Sequence, residues 1–206
     1  MIGIIEYGSG NIQAIKNVFN RLKIPTFVIS KPDDLKLATR LILPGVGAFD
    51  EAMSKLSQSG LRSCLDHAVL VKKIPVMGIC IGMQIMGDRS DEGKLDGLGW
   101  IPGEVRRFDV SNIKSLPKLP HMGWNNVNLK ENSIFKDIDM KTGFYFLHSY
   151  YFKARSAHNV IGTSTYELKF DCAVSHNNIY GFQFHPEKSH RNGIQLFKNF
   201  SEVAAC

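Results

Sequence analysis

Apolar residues open the chain in short runs, and between the runs they recur at helical spacing. Ile2 to Glu6 reads as a buried strand, and Gly8-Ser9-Gly10-Asn11 supplies a turn and a helix N-cap. Ile12, Ile15, Phe19 and Leu22 then share one helical face. Thr26 to Ile29 predicts a second strand, Pro32 opens a short helix, and Arg40-Leu41-Ile42-Leu43 forms a third strand stopped by Pro44-Gly45. Residues 48 to 72 give one or two helices through Phe49, Met53, Leu56, Leu61, Leu65 and Val69, followed by the strand Pro75 to Ile79. This alternation predicts an open, doubly wound unit with a parallel sheet over the first 90 residues.

After about residue 97 the pattern changes to short extended pieces: Glu104 to Phe108, Trp124 to Leu129, Phe144 to Leu147, Val160 to Thr163, Cys172 to Ser175 and Tyr180 to Phe184. Their texture predicts antiparallel strands. A last helix, about His190 to Val203, carries Ile194, Phe197 and Phe200. The expected fold is α/β: an open, mostly parallel sheet flanked by helices, with antiparallel strands added in the C-terminal half. No repeat or linker interrupts the sequence, so residues 1–206 are expected to form one domain.

The chemistry concentrates at Gly78-Ile79-Cys80-Ile81-Gly82, where a predicted strand turns into a predicted helix. This has the form of a nucleophile elbow, in which glycines leave room for a strained turn that presents the nucleophile. A helix N-terminus beneath the sulfur favours the thiolate. A cysteine acting on an acyl group needs a base, a group that orients the base and an oxyanion hole. His185-Pro186-Glu187 supplies the first two: in extended chain, residues two apart face one side, so Glu187 can hold His185 while His185 takes the thiol proton. The segment Gly45-Val46-Gly47, with the N–H of Ile81, supplies candidate oxyanion donors, and Gln84 lies one helical turn beyond Cys80. Taken singly, each also has an ordinary structural reading as a buried cysteine, a surface histidine or a strand-ending turn.

The remaining composition narrows the function classes. Cys64, Cys80, Cys172 and Cys206 lack the spacing of a zinc site or a disulfide framework, so neither a metal nor a cofactor is expected. The net charge of +6 is spread in pairs such as Lys72-Lys73 and Arg106-Arg107 rather than clustered, which points away from nucleic acid. No apolar run reaches the length of a membrane span, and Glu6 comes too early for a signal peptide, so a cytoplasmic protein is expected.

Gly78 to Gln84, the run Phe184-His185-Pro186-Glu187-Lys188-Ser189 and Pro44-Gly45-Val46-Gly47 together resemble the class I (triad) glutamine amidotransferases over nearly the whole chain. Pro120-His121-Met122-Gly123-Trp124-Asn125, Tyr145 to Tyr150 and Glu6 to Asn11 are similar to the branch formed by glutaminase subunits of imidazole glycerol phosphate synthases. The resemblance implies hydrolysis of L-glutamine through a thioester on Cys80, with His185 as base and later acid and Glu187 as orienting carboxylate. It implies that Gly47 and Gln84 hold the glutamine, that Glu92 meets its α-amino group, and that the backbone at Ser149 and Tyr150 meets its α-carboxylate. It further implies a (β/α)8-barrel cyclase partner, faced by Lys188, which uses the channelled ammonia in histidine biosynthesis. A paralogous glutaminase feeding amidation of a surface-polysaccharide sugar stays open, because the acceptor is bound by the partner.

Overall fold

The computed structural model describes residues 1–112 and 118–204. Its centre is one large mixed sheet. Strands β1 (Ile2–Ile5), β2 (Thr26–Ile29), β3 (Arg40–Gly45) and β4 (Val76–Cys80) pair in parallel in the order β2-β1-β3-β4, with helix α1 (Ile12–Arg21) and a 3-10 turn (Pro32–Leu37) as the first two crossovers. Asn11 caps α1 by accepting a hydrogen bond from Ala14 N. Helices α2 (Phe49–Gln58) and α3 (Arg62–Asp66), the latter running into a π-helical turn at His67–Val71, join β3 to β4. These central strands are buried on both faces, which is why they read as continuous apolar runs rather than as alternating patterns.

Beyond β4 come the one-turn helix α4 (Ile81–Gln84), the short β5 (Arg89–Ser90), β6 (Gly103–Arg107), β7 (His121–Asn125), β8 (Val127–Leu129), β9 (Phe144–His148), β10 (Tyr150–Ala154), β11 (Val160–Tyr166), β12 (Leu168–His176), β13 (Ile179–Phe182) and α5 (His190–Glu202). Most of these pair antiparallel, and β7 with β9 forms a separate two-stranded sheet. Two pairings depart from the antiparallel expectation: the short β5 lies parallel to β6, and β13 lies parallel to β4. β13 is antiparallel to β12 but parallel to β4, with Phe182 opposite Ile79, so it closes the parallel half of the sheet. Helix α5 returns to pack on α1, where the rings of Phe19 and Phe197 lie 5.0 Å apart.

Two boundaries also differ from the sequence reading. Pro44-Gly45 does not stop β3: the strand continues through both residues and pairs with Ile79 and Cys80. Proline is tolerated there because the pairing with β1 has already ended at Ile42, so no ladder partner misses its N–H. The predicted strand Trp124 to Leu129 is two strands, because β7 pairs with β9 whereas β8 turns away to pair with β11.

Candidate active site

β4 and β13 are neighbours in parallel register, so their C-terminal ends deliver Cys80 and the segment containing His185 to the same edge of the sheet. This is the position where open α/β sheets bind their ligands. Cys80 ends β4 with φ 55°, a left-handed conformation that costs a non-glycine residue about 1–3 kcal/mol. The strain is held in place by close packing behind it. A Cβ on Gly82 would lie 1.9 Å from the Leu43 carbonyl oxygen, and one on Gly45 would lie 2.4 Å from Gly82 N. Glycine at both positions lets β3 press against the elbow. The helix that follows has only four residues, so it contributes free N–H groups rather than a long helix dipole.

His185 and Glu187 meet by a route other than the one expected. Pro186–Lys188 forms a 3-10 turn closed by Lys188 N donating to the His185 carbonyl, not an extended strand. The turn places Glu187 Oε1 2.8 Å from His185 Nδ1, and both side chains are almost completely buried. The carboxylate is an acceptor, so Nδ1 carries the proton and Nε2 is left for Cys80. Burial alone would lower the imidazole pKa, but the hydrogen bonds to Cys80 and Glu187 outweigh it and push the value up to about 10. A protonated His185 between Cys80 and Glu187 is the charge state this favours.

Cys80 and His185 line a cavity of about 300 Å³ together with Val46, Gly47, Ile81, Gln84, Glu92, Ser149, Tyr150 and Lys188. Of the residues singled out in the sequence, Gly45 does not line it but packs beneath the elbow, and Glu187 lies behind His185. Glu92 reaches the cavity from a loop tied to α2 by reciprocal caps. Its Oε2 accepts from Phe49 N at 2.8 Å, while Asp50 accepts from Lys94 N and Leu95 N. Gln84 is less free than expected, because its Nε2 already donates to the Tyr150 carbonyl and to Gln183 Oε1, leaving Oε1 buried and unpartnered. Lys188 is exposed at the rim, its ammonium 5.6 Å from the centre of the Tyr145 ring.

Sequence reasoning passed over three contributors. Gln183 donates to Cys80 Sγ at 3.8 Å, and its period-two relation to His185 along the strand was the available signal. His148, which lines the cavity, forms a buried pair with His121; both sit in motifs that carry the resemblance, which gave neither a role. Among the described residues no cluster of His, Cys, Asp and Glu suits a metal, and Cys64, Cys80 and Cys172 are free thiols; Cys206 lies outside the described residues.

Residues 3–203 match the family model for class-I glutamine amidotransferases. The chain belongs to that family. It is 50% identical over 205 residues to the imidazole glycerol phosphate synthase subunit HisH of Bdellovibrio bacteriovorus, covering 98% of this chain and 100% of that one. The HisH subunit of Leptospira interrogans is 45% identical over 204 residues, covering 98% and 100%. Solved structures share the amidotransferase fold at lower identity. One described as a glutamine amidotransferase superposes with a TM-score of 0.74 at 16% identity, covering 100% of this chain and 99% of that one. PurLQS from Thermotoga maritima also gives 0.74, at 15% identity, covering 98% and 97%.

Proposed function

We propose that this chain is the glutaminase subunit of an imidazole glycerol phosphate synthase. The observation that carries the reading is the meeting of Cys80, His185 and Glu187 at one cavity, in an amidotransferase half identical end to end to a HisH subunit. In this reading the Cys80 thiolate attacks the side-chain carbonyl carbon of glutamine. The carbonyl electron pair moves to oxygen, which N–H groups of the Val46-Gly47 segment and of Ile81 receive. Collapse of this intermediate breaks the C–N bond, and protonated His185 gives its proton to the departing ammonia. Neutral His185 then takes a proton from water, the hydroxide adds to the thioester, and the C–S bond breaks to release glutamate and regenerate the thiolate. Glu187 stabilises His185 whenever it is charged. Glu92 meets the α-amino group and the backbone at Ser149 and Tyr150 the α-carboxylate.

Ammonia left in water is largely protonated and loses its nucleophilicity, so the product is of use only if it passes directly to an acceptor site. The partner in this reading is a (β/α)8-barrel cyclase in the cytoplasm. It docks over the cavity rim, where Lys188 is exposed and where β7, which starts beside the cavity-lining Pro120, exposes Met122 and Trp124. Residues 1–206 act as one amidotransferase domain. Nothing in the relatives described above favours the surface-polysaccharide reading. The deciding experiment is Cys80→Ala in the complex with the cyclase. Glutamine-dependent turnover should vanish while turnover with added ammonium salt persists; glutaminase activity retained by the folded variant would overturn the assignment.

A further inference from the structure

Gln183 is fully buried, and a core position of its size is filled at less cost by Leu or Met, which bring no polar atoms to desolvate. Its amide is instead committed at both ends. The orientation follows from a chain of hydrogen bonds whose direction is fixed at one point, the Tyr150 carbonyl, which only accepts. Gln84 Nε2 lies 3.1 Å from that oxygen and is therefore the donor end of its amide. The same Nε2 lies 3.0 Å from Gln183, which must present Oε1 to it. Gln183 Nε2 is thereby turned toward Cys80 Sγ, 3.8 Å away. On the other side the Tyr150 carbonyl accepts from His148 Nδ1 at 2.8 Å, and His148 Nε2 accepts from His121 Nδ1 at 2.9 Å. His121 Nε2 accepts from Asn125 Nδ2, which also donates to the Thr165 carbonyl. Each partner has one consistent role: donors run from Asn125 through His121 and His148 to the Tyr150 carbonyl, which accepts from both sides, and from Gln84 Nε2 through Gln183 to the sulfur.

We propose that Gln183 is a further catalytic residue, donating a hydrogen bond from Nε2 to the Cys80 thiolate, and that Gln84, the Tyr150 carbonyl, His148 and His121 position its amide for this. The proposal rests on Cys80 being the nucleophile. The donor acts when the sulfur carries most charge: in the resting thiolate, and again when the thioester C–S bond breaks and its electron pair returns to sulfur. No proton leaves Gln183 in either step. A hydrogen bond to a charged acceptor is stronger than one between neutral groups. Burial holds the rings of His148 and His121 neutral, at pKa values of about 3 and about 4, which keeps their acceptor nitrogens available to the chain.

The test is the rate at which iodoacetamide alkylates Cys80 in the full chain, a readout of the sulfur that does not depend on glutamine binding. Gln183→Met keeps the length of the side chain and removes the donor. Alkylation should fall about tenfold, the effect of one hydrogen bond to a charged group, while the thermal unfolding midpoint stays near that of the wild type. Gln183→Glu can still accept from Gln84 but turns an anion toward the sulfur, so its rate should fall further; it carries the test alone if Gln183→Met does not fold. A folded variant of either kind alkylated at the wild-type rate overturns the role of Gln183. If the wild type itself is labelled at Cys64 or Cys172 in preference to Cys80, the nucleophile assignment fails and this proposal with it.

Discussion

The hydroxyl of Ser9 accepts a hydrogen bond from the N–H of Val46 at 3.0 Å and donates one to the carbonyl of the same residue at 2.8 Å. The neighbouring Tyr7 hydroxyl donates to the Pro44 carbonyl at 2.7 Å, so the loop after β1 braces the end of β3 at two points. A Val46 N–H engaged by Ser9 is not available to an oxyanion. Gly47 follows at φ 93°, where glycine permits the adjoining peptide to rotate at low steric cost.

Ser9→Ala is therefore expected to raise the glutaminase rate of the isolated chain, by up to the ~10²–10³ that one oxyanion donor is worth. In the proposed complex, activation by the cyclase with its acceptor bound is expected to turn the same Val46 peptide, so in this variant it should shrink by the same factor. Rates of wild type and variant, each measured alone, with cyclase and with cyclase plus its acceptor, decide the matter. An unchanged basal rate would mean that Ser9 braces the strand without restraining catalysis.

Much of this geometry was legible in the sequence because it is local. The glycines around Cys80 announced a crowded turn, and the apolar runs announced strands buried on both faces. What could not be read was pairing between distant segments. Periodicity places Tyr180 to Phe184 on a strand but does not reveal that β13 lies parallel to β4, the fact that brings His185 to Cys80. For the same reason β10 is not predicted: Tyr150–Ala154 becomes a strand through its antiparallel partners β6 and β12, which are distant in the sequence. Glu187 was placed by an extended-chain argument, yet a 3-10 turn makes the contact, since the sequence gives no sign of where Lys188 N–H finds its acceptor.

The basic and acidic members behind Cys80 should separate kinetically. His185→Ala removes proton transfer and should lower kcat by about 10²–10⁴. Glu187→Gln keeps an acceptor for His185 Nδ1 but loses the charge that stabilises the imidazolium, so its loss in kcat should be smaller. Both are measured in the complex with the cyclase and its acceptor. Wild-type activity in Glu187→Gln would make that carboxylate structural.

Glu92 offers a cleaner division between binding and chemistry. Its Oε2 is spent on Phe49 N, and a glutamine side chain can accept that bond equally well through its oxygen. Glu92→Gln thus preserves the cap of α2 and removes only the charge offered to the α-amino group. KM for glutamine should rise about 10–100-fold, the range for a hydrogen bond between charged groups, with kcat nearly unchanged. A fall in kcat at constant KM would place Glu92 in the chemical step.

The buried histidine pair makes a prediction about stability and pH. His148 titrates near 6.5 when unfolded but is held down to about 3 in the native chain, chiefly by burial and then by His121, and His121 is held to about 4 by burial. Rings and backbone surround them: Phe108, Phe146, Phe170 and Tyr166 pack on the pair, Asn125 and the Tyr150 carbonyl bond it, and the positive charge of His185 also opposes protonation of His148. Above pH 6.5 both forms of the protein leave these rings neutral and the pair contributes no slope. Below it the unfolded chain takes up protons that the native chain refuses, so stability falls with pH, by up to ~1.4 kcal/mol per unit for each ring. His185 is shifted the opposite way, to about 10, so its contribution is already complete below pH 6.5 and adds no slope there. Between pH 6.5 and 5, before most carboxylates titrate, urea unfolding of the wild type should therefore lose stability steeply. His148→Leu should be less stable at pH 7 yet flatter over this window by up to one proton's worth, ~1.4 kcal/mol per pH unit. An equal slope in the two proteins would mean that the native chain accepts the proton, and that the neutral relay behind Tyr150 does not persist in solution.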